Sequence, residues 1–196
     1  MTDGLVRCWW SAGDGARPDP RMVAYHDEEW GVPCHDDVEL FERLALESFQ
    51  AGLSWSTILN KRESFRAAFA GFEPQTVAGF DDADRERLMA DPGIVRNRAK
   101  IDATIGNAVA LLATVAEFGS FDAYLGSMVP GPPARLPASA SAGDIPATTA
   151  VSDALSKDLR GRGFKFVGPT IVYAFMQSVG LVDDHLPVCF RYGVTR

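Results

Sequence analysis

Residues Ser152 to Gly180 read SDALSKDLRGRGFKFVGPTIVYAFMQSVG, and the glycines at 161, 163 and 168 decide how that stretch is organised. Ser152 offers a side-chain oxygen to cap a helix over SDALSKDLRGRG. Pro169 opens a second helix reaching about Gly180, since a missing N–H costs nothing in a first turn. The connection runs Gly161-Arg162-Gly163-Phe164-Lys165-Phe166-Val167-Gly168-Pro169-Thr170. Glycine permits close backbone approach, and the first amides of the following helix point outward where an anion can accept their hydrogen bonds. Gly163, Lys165, Val167, Gly168 and Thr170 are the candidate phosphate contacts, with Lys157, Arg160, Arg162 and Lys165 as a basic flank. An ordinary turn between antiparallel helices is the competing reading.

Upstream, Val129 to Ala150 is rich in Pro, Ala, Ser and Gly, with few large apolar residues beyond Leu136 and Ile145, and reads as a surface loop. Helical periodicity dominates from Asp36. Asp36 and Asp37 supply the cap and first turn for ELFERLALESFQAG, and Gly52 breaks that helix. Ser54 caps the next, which carries Trp55, Ile58, Leu59, Phe65 and Phe69 as a buried stripe and ends near Gly71. A short helix is expected after Pro74 and another over Asp81 to Met89, stopped by Asp91-Pro92-Gly93. A long amphipathic run follows from Arg98 to Phe118, with Ile101, Ile105, Ala108, Val109 and Leu112 facing the core, then a turn or two over Phe121 to Met128. Strand alternation and internal repeats are not evident. The expected architecture is all-α, a bilobal helical globule forming a single domain over 1–196. It divides into an N-terminal segment 1–35, a helical body 36–128, the loop 129–150, the helix pair 152–180 and a tail 181–196.

Hydrophobic residues make up 46% of 196, enough for one substantial core or two small lobes around a cleft. No apolar run approaches the roughly 20 residues that span a bilayer, and MTDGLVRCWW lacks a signal-peptide stretch, so a cytoplasmic location without a membrane partner is expected. Cys8, Cys34 and Cys189 are odd in number and widely separated, which argues against a disulfide framework and leaves burial or thiolate chemistry. A net charge of −7 weighs against nucleic acid as a bulk property. The basic residues are uneven, however, with Arg85, Arg87, Arg96, Arg98 and Lys100 in one cluster and the 157–165 flank in another. Either a basic face on an acidic body or a solvated helix surface fits that distribution.

Within LESFQAGLSW, Leu46 to Trp55, the carboxylate of Glu47 falls among core positions: Leu44 and Leu40 lie three and seven residues back, and Ala51 four ahead. An isolated buried carboxylate is costly. The acid therefore either pairs with Arg43, one turn earlier, or lines a pocket with Trp55 that suits a flat, cationic ligand.

The string GFKFVGPT, followed by an apolar helix and Val182-Asp183-Asp184-His185, resembles the helix-hairpin-helix element of DNA base-excision glycosylases. AYHDEEWGVP at 24–33, LESFQAGLSW, GIVRNRAKI at 93–101 and SDALSKDLRGRGFKFVGPT together resemble the 3-methyladenine DNA glycosylase I (Tag) family, in order and from Cys8 to Cys189. The resemblance implies a helix-hairpin-helix glycosylase fold and a monomeric hydrolase that cleaves the N-glycosidic bond of 3-methyladenine in alkylated double-stranded DNA, releasing the free base. It implies Glu47 as the pocket acid and Trp55 and Tyr25 as stacking aromatics, with Trp10 and Trp30 nearby. Alkylation at N3 makes adenine cationic, so a carboxylate and ring faces complement it. The implied reaction is nucleotide extrusion followed by water attack at C1′ through an oxocarbenium-like state.

Three positions qualify that resemblance. Met22 stands where the family often carries tyrosine, giving one pocket wall a thioether. Asp183 matches the catalytic aspartate of the wider superfamily, on which Tag proteins do not rely, so it reads either as an assisting acid or as a capping one. Thr170 matches the lyase lysine of bifunctional relatives, and Schiff-base strand cleavage is not expected.

Cys8, His26, His185 and Cys189 form a Cys2His2 set at the two ends of the chain. Their spacing is not that of a zinc finger, and Pro187 interrupts simple helical geometry in His185-x3-Cys189. The resemblance implies that these four hold one structural Zn2+, joining the terminal segments with no open position for a catalytic water. Cys34 and His35 are the competing pair, expected to be spectators. Two other function classes compete: a non-catalytic helix-hairpin-helix module that binds DNA, and a zinc-tethered helical domain that binds proteins. Base release separates the enzyme from the first, and salt-dependent DNA association excludes the second.

Overall fold

The computed structural model describes residues 4–12 and 18–194, so part of the expected segment 1–35 and the last two residues of the tail lie outside the described residues. Among the described residues the fold is carried by helices α1 (Pro20–Glu28), α2 (Asp37–Gln50), α3 (Trp55–Ala68), α4 (Pro74–Ala78), α5 (Asp82–Ala90), α6 (Arg98–Phe118), α7 (Phe121–Met128), α8 (Ala150–Gly161) and α9 (Pro169–Ser178). Short 3-10 turns cover Trp9–Ala12, Ala70–Phe72 and Ala142–Asp144.

Helix starts follow side-chain capping, which satisfies backbone N–H groups that have no partner within the helix. Asp36 accepts from the Glu39 amide at 2.9 Å and Ser54 from Thr57 at 3.2 Å, as expected. Asn97 accepts from Lys100, and α6 spans the expected Arg98 to Phe118. Ser152 is not the cap of α8. Thr149 is: its hydroxyl accepts from the Ser152 amide while Ser152 Oγ accepts from the Thr149 amide, so the cap lies three residues earlier and Ser152 sits in the first turn. The periodicity also missed α1, whose start is marked by Asp19 accepting from Arg21 ahead of Pro20.

α2 runs through the middle of the core, with every residue from Leu40 to Phe49 buried, and packs on α3, α6, α7 and α9. Phe49, Phe65, Phe69 and Phe72 interlock along its α3 side, with ring centroids 4.7 Å apart for Phe49–Phe65 and 5.4 Å for Phe69–Phe72. α6 buries Ile101, Ile105, Ala108 and Leu111, whereas Val109, expected inside, is exposed. Contrary to the sequence reading, α6 has the length and apolar composition of a bilayer span; half of that window is buried within the protein.

A second, smaller hydrophobic cluster gathers Cys8, Tyr25, Trp30, Leu136, Leu186 and Cys189 from segments far apart in the chain. The stretch 129–150 contributes to it and is therefore more than a surface loop. Ala134–Arg135 pairs in parallel with Val182–Asp183, a two-strand ladder that two residues per strand leave invisible to any alternation pattern. Phe190 donates its amide to the Val6 carbonyl at 2.9 Å, so the two terminal segments meet directly.

Candidate functional site

Glu47 is 5% exposed, and no described residue gives its carboxylate a hydrogen bond or an ion pair. Arg43, one turn away, is engaged instead by the Glu39 carboxylate and the carbonyls of Ser178 and Glu29. Burial pushes the Glu47 carboxyl up from 4.5 to about 8. Such a group binds a proton when the site is empty and becomes a counter-ion when a cation arrives.

The carboxyl faces a cavity of about 440 Å³, within the range that admits small ligands. Four expected aromatics line it. Tyr25 and Trp55 meet with ring centroids 5.1 Å apart, Trp10 contacts Trp30 edge-on at 4.9 Å, and Trp10 to Tyr25 is 6.3 Å. Met22, on α1 one turn before Tyr25, completes the wall. The Trp55 indole N–H is buried without a hydrogen-bond partner among the described residues. Sequence reasoning missed Trp9, Gln50, Ala142, Ile145, Ala174 and Gln177. Gln50 sits three residues after Glu47 on α2, and Ala174 and Gln177 share one face of α9, so helical spacing carried a signal for those three. Nothing local marked Ala142 and Ile145. A larger neighbouring cavity shares Tyr25 but is lined mostly by charges already in pairs, with Arg62 between Glu29 and Glu42 and Arg66 on Glu42 and Glu63.

Asp183 is not among the residues lining the aromatic cavity. Its carboxylate accepts from Arg135 Nε at 2.9 Å, the Gly193 amide at 3.0 Å and the His185 amide at 3.3 Å. Both Asp183 oxygens are hydrogen-bonded, and the side chain links the strand pair to the tail.

The turn between α8 and α9 is partly spent on the protein itself. The Gly163 amide bonds the Arg160 carbonyl, and the Lys165 amide bonds Asn107 Oδ1 at 2.8 Å while the Lys165 carbonyl accepts from Asn107 Nδ2. Those two amides are not offered to a phosphate. The Val167, Gly168 and Thr170 amides donate to no described residue, and the Lys165 ammonium is exposed. Phe166 holds a left-handed φ of 54°, its carbonyl fixed by Ser48 Oγ. The other basic cluster is largely neutralised: Arg85 and Arg98 bond Asp102, Arg87 bonds Asp84, and Lys100 is buried on the carbonyls of Phe49 and Ala51.

Cys8, His26, His185 and Cys189 are all buried, with their potential ligand atoms within 4.8 Å of one another. His26 Nδ1 donates to Asp27, itself clamped by Arg7, which leaves Nε2 as an acceptor 3.3 Å from the Cys8 amide that donates to it and 3.4 Å from Cys189 Sγ. His185 Nε2 donates to the Trp30 carbonyl, which turns Nδ1 toward the sulfurs of Cys189 at 3.6 Å and Cys8 at 3.7 Å. The Leu186 and Arg191 amides donate to the two sulfurs, and the hydrogen bond between the cysteines draws Cys189 toward thiolate. Two imidazole lone pairs and two sulfurs converging with outer hydrogen bonds in place is a donor set that fits a tetrahedral divalent ion. Cys34 and His35 lie apart from it: Cys34 Sγ faces the Asp36 carbonyl, and His35 pairs on the surface with Asp122.

The sequence signature of the methyladenine glycosylase family matches residues 15–192. DNA-3-methyladenine glycosylase 1 of Escherichia coli (strain K12) is 48% identical over 188 residues, 96% of this chain and 97% of that protein. A crystal structure of 3-methyladenine DNA glycosylase I superposes with a TM-score of 0.89 at 49% identity, covering 95% of this chain and all of the other. A tyrosine-to-phenylalanine variant of 3-methyladenine DNA glycosylase I, crystallised in complex with 3-methyladenine, gives 0.87 at 42% identity over 91% of this chain and 95% of that one. This chain belongs to the methyladenine glycosylase family.

Proposed function

We infer that the protein is a DNA glycosylase that hydrolyses the N-glycosidic bond of 3-methyladenine in alkylated duplex DNA. The observation that carries the reading is the buried Glu47 carboxyl, without a protein partner, at the wall of an aromatic cavity. A neutral adenine meets a protonated acid there and gains little. The N3-alkylated base brings a positive charge, which ionises Glu47 and recovers the Coulomb energy that burial withholds from the empty site. Trp55 and Tyr25 add stacking and cation–π attraction of about 0.5–2 kcal/mol per good contact. Because a cationic base is already a good leaving group, the site needs no strong acid–base dyad, and none lines the cavity. Extruding the nucleotide costs a few kcal/mol, least where pairing is weakened, so selection begins before the cavity is entered. The amides of Val167, Gly168 and Thr170 with the Lys165 ammonium are the groups that fit the DNA backbone.

We read the Cys8, His26, His185 and Cys189 cluster as a structural zinc site that ties the terminal segments together. Zinc bound there supplies a cross-link. Trp30 connects that site to the cavity, since its carbonyl holds His185 while its ring lines the base-binding wall.

The test is base release from methylated duplex, resolved by chromatography. Appearance of 3-methyladenine that Glu47→Gln suppresses is the expected result; intact bases after prolonged incubation overturn the reading.

A further inference from the structure

Three consecutive residues of the α8–α9 turn have their carbonyls held by buried side chains from three different helices. The Lys165 carbonyl accepts from Asn107 Nδ2 on α6 at 3.0 Å, that of Phe166 from Ser48 Oγ on α2 at 3.0 Å, and that of Val167 from Ser156 Oγ on α8 at 2.6 Å. Asn107, Ser48 and Ser156 are all buried, so each bond draws its carbonyl toward the interior. Asn107 also accepts from the Lys165 amide, which fixes both ends of that residue. Ser48 has one hydrogen for two carbonyls, that of Phe166 and that of Leu44 at 2.9 Å, and is the weakest of the three holds.

No peptide bond among the described residues is cis, and in a planar trans peptide the N–H points opposite to the C=O. Holding the carbonyls of Lys165, Phe166 and Val167 therefore turns the amides of Phe166, Val167 and Gly168 away from the clamping side chains. None of those amides donates to a described residue. The left-handed φ of 54° at Phe166 belongs to the same arrangement: a left-handed residue lets successive N–H groups converge on one anion, and an aromatic residue stays in that strained conformation only where its surroundings hold it. Phe166 is exposed and Gly168 half-buried, so the held segment lies at the surface.

Resting on the reading above, we propose that Asn107, Ser48 and Ser156 are positioning residues that preset the α8–α9 turn for a DNA phosphate and add the Phe166 amide to its donors. A loose turn would lose conformational freedom on each encounter with DNA. One already held loses little, so the clamps raise affinity without touching the ligand. Ser48 directly follows Glu47 on α2, and one helix thus carries both the acid of the base cavity and a hold on the turn. None of the three side chains lines that cavity.

The experiment compares wild type with Ser156→Ala, Ser48→Ala and Asn107→Ala. It measures base release from methylated duplex, affinity for a duplex carrying a tetrahydrofuran abasic analogue, and binding of free 3-methyladenine by tryptophan quenching, with thermal unfolding to establish that each variant is folded. A grip on the DNA backbone acts equally before and during bond cleavage, so its loss raises KM and spares kcat. The expected result is a fall in duplex affinity of about three- to tenfold in Ser156→Ala and Asn107→Ala, the scale of one hydrogen bond, with a smaller fall in Ser48→Ala. KM rises to match, while kcat and free-base affinity stay within about twofold. The serine variants each delete a single oxygen and carry the test should Asn107→Ala not fold. Duplex affinity unchanged in the folded serine variants, or falling together with free-base affinity, overturns the clamp while leaving the glycosylase reading intact. Wild-type protein that releases no 3-methyladenine overturns both.

Discussion

Arg43 and Glu47 stand one turn apart on α2 and do not pair; the guanidinium is held by Glu39 and two backbone carbonyls, leaving the carboxyl alone. Burial without compensation raises Glu47 from 4.5 to about 8. Between those values the folded chain retains a proton that the unfolded chain releases, so stability falls as pH rises through that window. Glu47→Gln removes the titration. The variant is expected to match wild type near pH 4.5 and to become progressively more stable up to pH 8, by on the order of a few kcal/mol. Unfolding midpoints at several pH values check this, and a constant difference would mean that Glu47 has a partner in solution.

The same proton governs activity. A permanently cationic nucleotide binds the ionised acid, and the free enzyme holds that acid mostly protonated at pH 6. On methylated duplex, kcat/KM is expected to rise by up to about tenfold per pH unit and level off above about pH 8, with the slope absent in Glu47→Gln. A flat wild-type profile from pH 6 to 8 contradicts the assignment.

The helices were largely legible because their signals are local. Asp36, Ser54 and Pro169 each mark a start within a few residues, and α6 carries its periodicity over 21 residues. Glu47 and Trp55 were legible for the same reason, as one helix end and the next helix start bring them to a common wall. What escaped depends on distant partners. Arg85 reads as free charge until Asp102 is placed beside it, and Lys100 as surface until its ammonium is found under the carbonyls ending α2. Ala142 and Ile145 lie in a stretch held to the body through Leu136, buried in the second cluster, and through the pairing of Ala134–Arg135 with Val182–Asp183. Asp183 drew attention through the superfamily resemblance, whereas its bonds from Arg135 and two amides are tertiary contacts that the local sequence does not show.

Metal removal should act through the aromatic wall. A single zinc ion per chain, the number that one four-ligand site holds, is expected by elemental analysis. Chelation should lower the unfolding temperature and weaken 3-methyladenine binding together, because His185 holds the Trp30 carbonyl. Asp27→Asn leaves all four ligands in place but frees the His26 ring, and is expected to loosen zinc about 10–100-fold in a chelator competition. Zinc-free protein of unchanged stability would sink the structural assignment.

Asp183 offers a separation between anchoring and chemistry. Asp183→Asn weakens the bonds from Arg135 and Gly193 and is expected to cost about 1–3 kcal/mol of stability. Turnover of the folded variant should change by less than about tenfold, below the contribution of a general acid or base. A hundredfold fall in kcat at intact stability would restore Asp183 to the reaction.

DNA contact at the α8–α9 turn can be separated from mere charge by comparing two basic residues three positions apart: Lys165, exposed, and Arg162, spent on Glu117 and Asp158. Neutralising one phosphate releases counterions, so Lys165→Ala should reduce the slope of log affinity against log salt by about 0.9 while leaving free-base binding unchanged. Arg162→Ala should lower stability, since it also leaves the Phe118 and Tyr124 rings that the guanidinium covers, and should leave the salt slope as it was. Equal slopes for wild type and Lys165→Ala would move the DNA backbone away from this turn.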